Sequence, residues 1–163
     1  MALVKGDGKE MKKMLKIFTG SLMFITILWG CSGNPTEHNN SGSSGLLDCP
    51  DTPNCVSSLA KNAKHRVEPF KLKKDPKTSW DIVQQTVGLL PRTKIVSADN
   101  SNIHAECKSI VFRFIDDLTL HLTPSNGMIH IRSASRTGYS DLGVNRRRVE
   151  NLRKKLQSKD IIE

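Results

Sequence analysis

From residue 78 onward, apolar side chains recur with two different periods, and the periods mark the elements. In "TSWDIVQQTVGLLP", Trp80, Val83, Val87 and Leu90 are spaced as one face of a helix. Thr78 stands three residues before Asp81 as a capping-box-like start, and Pro91 stops the run. "TKIVSADNSNIHAECKS" reads as two strands around a turn at Asp99–Ser101. The clearest hairpin is "DLTLHLTPSNGMIHIRS": Leu118, Leu120 and Leu122 alternate with polar residues, Asn126–Gly127 supplies a tight turn, and Ile129 and Ile131 alternate on the return strand. A last helix carries Val149, Leu152 and Leu156 on one stripe among arginines and lysines. "IVFRF" fits a separate strand, the start of the next one or an irregular crossing. The order helix, four strands, helix predicts an α+β fold, an antiparallel sheet of about four strands with two main helices on one face.

A different pattern fills the N-terminal part. "MKKMLKIFTGSLMFITILWGC" places Lys12, Lys13 and Lys16 before an uncharged run from Ile17 to Trp29, followed by Gly30 and Cys31. A positive segment, a short apolar run and a small residue before a cysteine read as a secretory signal, too short to span a bilayer comfortably. Residues 1–30 are therefore expected to be a lipoprotein signal peptide, and Met11 fits its start better than Met1. The order Leu28–Trp29–Gly30–Cys31 resembles a bacterial lipobox, which makes Cys31 the expected lipidation site; Trp29 departs from the small residue usual there. Residues 31–46, polar and without periodicity, read as a lipid-anchored flexible linker. Ser32, rather than an aspartate, after the cysteine favours an outer-membrane destination facing the periplasm. That leaves residues 47–163 as a single α+β domain, a size one core can organise.

Composition narrows the partners. Apolar residues make up 37% and aromatics 5%, so the core is expected to be modest and largely aliphatic. The formal net charge of +9 suits nucleic acid, an acidic polymer or an anionic membrane surface. An exported protein rarely meets nucleic acid, so no nucleic-acid partner is expected for the basic helix "NRRRVENLRKKLQSK". Membrane lipid at the N-terminal anchor, an anionic small molecule or an envelope protein are the expected partners.

In an oxidising envelope the remaining cysteines acquire meaning. "CPDTPNC" brings Cys49 and Cys55 round a proline-rich turn, where a disulfide would be worth about 2 kcal/mol. Cys107 is either a competing partner or a buried free thiol. The five histidines lack metal-ligand spacing, so neither a metal nor another cofactor is expected.

The chemistry concentrates in "RSASRTGYSDLGVNRRRVENLR", residues 132–153. Consecutive strand residues point to opposite faces, so Asp116 and Asp117 cannot share one proton. Asp116 has the parity of Leu118, Leu120 and Leu122 and is expected on the apolar side, where an ionised carboxylate demands a partner. Arg132 and Arg136 follow the pairing strand and are expected to supply it, as a buried polar clasp. The competing reading is a ligand site: Arg132, Ser133, Ser135, Arg136, Tyr139 and Ser140 offer donors that lead into a helix N-terminus, which attracts anions. Asp141 competes with such a ligand, because it can satisfy the helix end itself. A hydrolase using His130 and the arginine- and serine-rich loop 132–141 is the alternative, with less support, since no third residue orients the histidine and no G-x-S-x-G elbow exists. No catalytic residue is assigned.

"CPDTPNCVSS", "FRFIDDLTLHL" and above all "IHIRSASRTGYSDLGVNRRRVENLR" resemble the domain of unknown function family 1499, from about Leu47 to Leu156. The family occurs among bacterial envelope proteins and in plastids. The resemblance singles out Asn54, Cys55 and Ser57, the pair Asp116 and Asp117, and Arg132, Ser133, Ser135 and Arg136 at the end of the hairpin. It adds Gly138, Tyr139, Asp141, Gly143, Asn145 and Arg146 in the loop and helix start. It implies one coherent domain and brings no reaction. The expectation is thus a membrane-anchored envelope lipoprotein acting as a binding or structural module.

Overall fold

In the computed structural model, residues 46, 48–109 and 113–163 are described. The signal peptide, Cys31 and nearly all of the tether lie outside the described residues, as do Ile110, Val111 and Phe112 of "IVFRF".

The strands are β1 (Cys55–Ser57), β2 (Phe70–Lys71), β3 (Thr93–Ala98), β4 (Asn102–Lys108), β5 (Ile115–Thr123) and β6 (Met128–Ser135); the helices are α1 (Pro76–Gly88) and α2 (Val144–Ser158). The sheet runs β1–β6–β5–β4–β3, every neighbouring pair antiparallel, and β2 joins β6 beside β1. The α+β class and the two helices agree with the sequence, but the sheet has six strands rather than about four. The two extra strands are only three and two residues long, too short to carry an alternating pattern.

The long hairpin follows the apolar period. Leu120 lies opposite Ile131 and Leu122 opposite Ile129, and all four are buried, as the one face of a half-covered sheet requires. Its loop spans the four residues between Thr123 and Met128, longer than a two-residue turn, and Gly127 takes the left-handed conformation at φ 65°. The β3–β4 turn falls at 99–101 as expected; Asp99 caps it by accepting from the backbone of Ser101 and Asn102, and its carbonyl accepts the Trp80 indole N–H at 2.8 Å.

The first helix begins before Thr78. Asp75 is the cap, with Pro76 as the first helical residue, and Asp75 Oδ2 accepts from the Thr78 amide at 2.9 Å. Thr78 is thus the receiving end of the cap instead of the cap itself. Trp80, Val83, Val87 and Leu90 are buried as their spacing requires, and they share one core with Val149, Leu152 and Leu156 of α2 and with the inward residues of β4, β5 and β6. Both helices therefore cover the same sheet face. The opposite face carries Asn102, His104, Glu106, Asp117, Thr119, His121, His130 and Arg132, all partly exposed. "IVFRF" adds no strand among its described residues: Arg113 and Phe114 precede β5, and Ser109 closes the connection by bonding Phe114. No described helix is long and apolar enough to cross a membrane.

Candidate functional site

The two aspartates at the start of β5 divide the polar residues into two groups, one on each face of the sheet. Asp116 lies on the helix side and is 3% exposed. Its partner is Arg148, whose Nη2 donates to Asp116 Oδ2 at 2.6 Å. Arg148 Nη1 donates to Ser133 Oγ and to Asn145 Oδ1. Ser133 Oγ donates to the same Asn145 oxygen at 2.6 Å, while Asn145 Nδ2 donates to the Asn54 carbonyl and to Ser135 Oγ. Asn54 in turn donates from its side chain to the Gly138 carbonyl at 2.6 Å. A buried chain of polar contacts therefore ties β5, β6, the segment before β1, the 136–143 loop and the first turn of α2 into one unit. The buried side chains of Asp116, Ser133 and Asn145 are all hydrogen-bonded, which is what burial of such groups demands.

This corrects the expected pairing. Neither Arg132 nor Arg136 serves Asp116; both leave β6 on the other face, and the clasp arginine comes from α2. Arg148 lies four residues before Leu152 and eight before Leu156, so helical spacing alone places it on the buried stripe. Its membership of the run "RRR" disguised it as solvated surface.

Asp117 occupies the open face. It accepts from Arg136 Nε at 2.9 Å and Nη2 at 2.8 Å, and pairs with His104 Nε2 at 2.7 Å; Arg136 Nη2 also donates to Glu106 Oε1 at 2.7 Å. Burial pushes the Asp117 carboxyl up, but the His104 and Arg136 hydrogen bonds outweigh it and hold it well below the usual carboxylate range. The hydrogen bond to Asp117, strengthened by the one to Glu106, holds Arg136 protonated more firmly still. Arg132 shares the open face and feels the charge of Asp117, but its Nε is buried without a hydrogen-bond partner, and burial pushes its guanidinium below its ordinary value.

The other predicted residues separate. Asp141 closes the start of α2, accepting from the Gly143 amide at 2.8 Å and the Asn145 amide at 2.7 Å. Gly143 takes φ 77°, and a Cβ there would lie 3.1 Å from Arg147 Nη1, so glycine is needed for both conformation and space. Arg146 reaches away to the carbonyls of Lys64 and Arg66. Tyr139 is 74% exposed. Cys49 and Cys55 form a disulfide, and Cys107 is a buried free thiol that burial pushes up in pKa. His130 contacts Ser58 Oγ at 3.3 Å on the open face, and burial and the nearby His121 push it down. Ser133 faces the helices, so His130 and the buried serine of the loop do not converge. Among the described residues no group of three or more His, Cys, Asp or Glu side chains is arranged to hold a metal ion.

Above the buried clasp lies a cleft of about 540 Å³. Leu90 and Pro91 follow α1 on one side, Phe114 stands before β5, and Leu142 and Val144 open α2. Asp116, Ser135 and Arg148 of the clasp contribute its polar floor, and Arg92, Lys108 and Arg147 bring positive charge to the walls. Both carboxylates of the lining are engaged, Asp116 by Arg148 and Asp141 by the α2 amides. Arg92, Lys108 and Arg147 have no carboxylate partner among the described residues; Arg92 and Arg147 donate to the carbonyls of Lys108 and Leu142. Among the described residues four non-glycine residues have positive φ; two of them, Arg92 (55°) and Leu142 (52°), line this cleft, and a third, Arg113 (55°), precedes the lining residue Phe114 in sequence. Leu142 is also 84% exposed. Such backbone concentrates at binding sites, where surrounding structure sustains it. Sequence periodicity could not assemble this cleft, because its walls come from the ends of six elements.

A family model described as "Protein of unknown function (DUF1499)" matches residues 45–156. Comparison with the curated proteins and with the solved structures finds no match.

Proposed function

For a chain that belongs to the DUF1499 family, we propose a binding module of the bacterial envelope, anchored through a lipid on Cys31 and holding an anionic ligand in the cleft above the clasp. One observation carries the reading: an aliphatic cleft of about 540 Å³ bears three cationic side chains without carboxylate partners among the described residues, while its own two carboxylates are engaged. Clasp and ligand site are thus not competitors. The clasp fixes the floor, and the ligand meets the walls. The anchor reading rests on the signal-like segment before Cys31 and on the polar tether, which would let the domain stand off an outer membrane while facing the periplasm.

The test is binding of an anionic naphthalene sulfonate dye to the folded domain. Lys108→Ala combined with Arg147→Ala is expected to weaken binding about tenfold, roughly 1.4 kcal/mol, with thermal unfolding unchanged. Equal binding by the double variant overturns the anionic cleft. Globomycin-sensitive processing and lipid labelling that disappear with Cys31→Ala test the anchor.

The hydrolase reading finds no comparable support. It needs His130 beside a reactive serine of the loop, and those groups lie on opposite faces of the sheet.

A further inference from the structure

We infer that the occupant of the cleft is a single-chain fatty carboxylate, its chain along the aliphatic walls and its head between Lys108 and Arg147. The inference rests on the anionic-cleft reading and deepens it. The walls offer Leu90, Pro91, Phe114, Leu142 and Val144, so the largest favourable term open to a ligand is burial of hydrocarbon. Among the described residues, Phe114 is the only aromatic side chain in the lining, which gives a planar ring little to stack against and favours a flexible chain.

The head is placed by what remains unpaired. Arg148 has its charge matched by Asp116 and also donates to Ser133 and Asn145. Asp141 takes the amides of Gly143, Val144 and Asn145 at the start of α2. An anion at the α2 N-terminus would have to compete with Asp141, so the head goes to the side chains of Lys108, Arg147 and Arg92. A cleft of about 540 Å³ encloses one chain of ordinary length but not a two-chained phospholipid. The exposed Leu142 at its mouth leaves an open apolar path by which a chain enters from a membrane or micelle.

The experiment uses the full chain in neutral phosphatidylcholine vesicles with a dodecanoic acid carrying a mid-chain diazirine. Photolysis is expected to label the peptides that hold Leu90–Pro91 and Leu142–Val144. Labelling should fall at least fivefold in Lys108→Ala/Arg147→Ala, whose folding is checked by circular dichroism. Saturated carboxylates from six to twelve carbons should compete, each methylene strengthening competition about three- to fourfold at equal free concentration. Competition by acetate or inorganic phosphate as strong as by dodecanoate would sink the acyl inference and leave the anionic cleft standing. Equal labelling by the matching diazirine dodecanol, indifferent to the double variant, would sink both. Equal labelling by a diazirine phosphatidylglycerol would make a bilayer phospholipid the occupant, and absence of cleft labelling would also overturn the proposal.

Discussion

Asp116 and Asp117 are the same residue type in adjacent positions, each paired with an arginine, yet they serve different ends. The Asp116 carboxylate is buried beneath α2, its side chain 4% exposed, and meets an arginine that also donates from Nη1 to Ser133 and Asn145. Asp117 is 15% exposed and shares its charge among Arg136, His104 and, through Arg136, Glu106. Water reaches the Asp117 carboxylate more readily and can replace a lost partner there in part; the two arginines are nearly equally covered, at 12% for Arg148 and 14% for Arg136, so the carboxylates make the difference. The same pair of residue types therefore locks the architecture on one face and only tunes it on the other. Strand parity alone decides which role each aspartate receives.

The comparison breaks most visibly at the clasp. Asp116→Ala leaves Arg148 buried with an unpaired charge, a loss of about 3–5 kcal/mol in urea denaturation. Adding Arg148→Ala should cost much less than the sum of the two single effects. Simple additivity would show that the two residues do not act as one unit.

On the open face, Asp117→Asn should cost about 1–3 kcal/mol, because charge-assisted bonds are weakened but solvent compensates. The pH dependence carries a sign. The Asp117 carboxyl is depressed in the folded protein, so its stabilisation is fully present above the unfolded carboxylate range near pH 4. It is lost as pH falls toward the much lower folded value. Stability curves of Asp117→Asn should be flatter than wild type below about pH 4, and parallel curves would contradict the assignment.

Opening the Cys49–Cys55 link by Cys49→Ser/Cys55→Ser should cost about 2 kcal/mol, read from the urea midpoint at constant slope. The smallest effect belongs to Arg132. Its Nε is buried without a partner, so Arg132→Met should change stability by no more than about 0.5 kcal/mol, or raise it. A loss as large as that of Asp116→Ala would mean that Arg132 belongs to a polar unit after all.

Which of these features were legible in the sequence follows from the range of the forces involved. Period-two and helical spacing identified the buried faces of β5, β6, α1 and α2, because a single face of each element is covered by one core. The parity of Asp116 with Leu118 was readable in the same way, and its burial followed. The identity of its partner was not, since pairing depends on how α2 crosses the sheet, and that crossing is set by packing between residues far apart in sequence. Asp75 was missed as a cap because Thr78 offered an equally good local signal. β1 and β2 were missed because each is held by pairing with β6 and carries no pattern of its own. The cleft was illegible for a related reason: Lys108, Arg147 and Leu142 are ordinary residues until six element ends bring them together.

The disulfide has a mechanical consequence. Tension that reaches the domain along its N-terminal chain arrives at Cys49 and crosses directly to Cys55, bypassing the turn between them. It then loads the ladder in which Cys55, Val56 and Ser57 pair with Ala134, Ser133 and Arg132, reinforced by the Asn54 bonds to Gly138 and Asn145. A pull is thus received beside the clasp, at one of the most heavily cross-tied points of the domain. With the sulfur bridge reduced, the same pull would first pay out the 49–55 turn as slack.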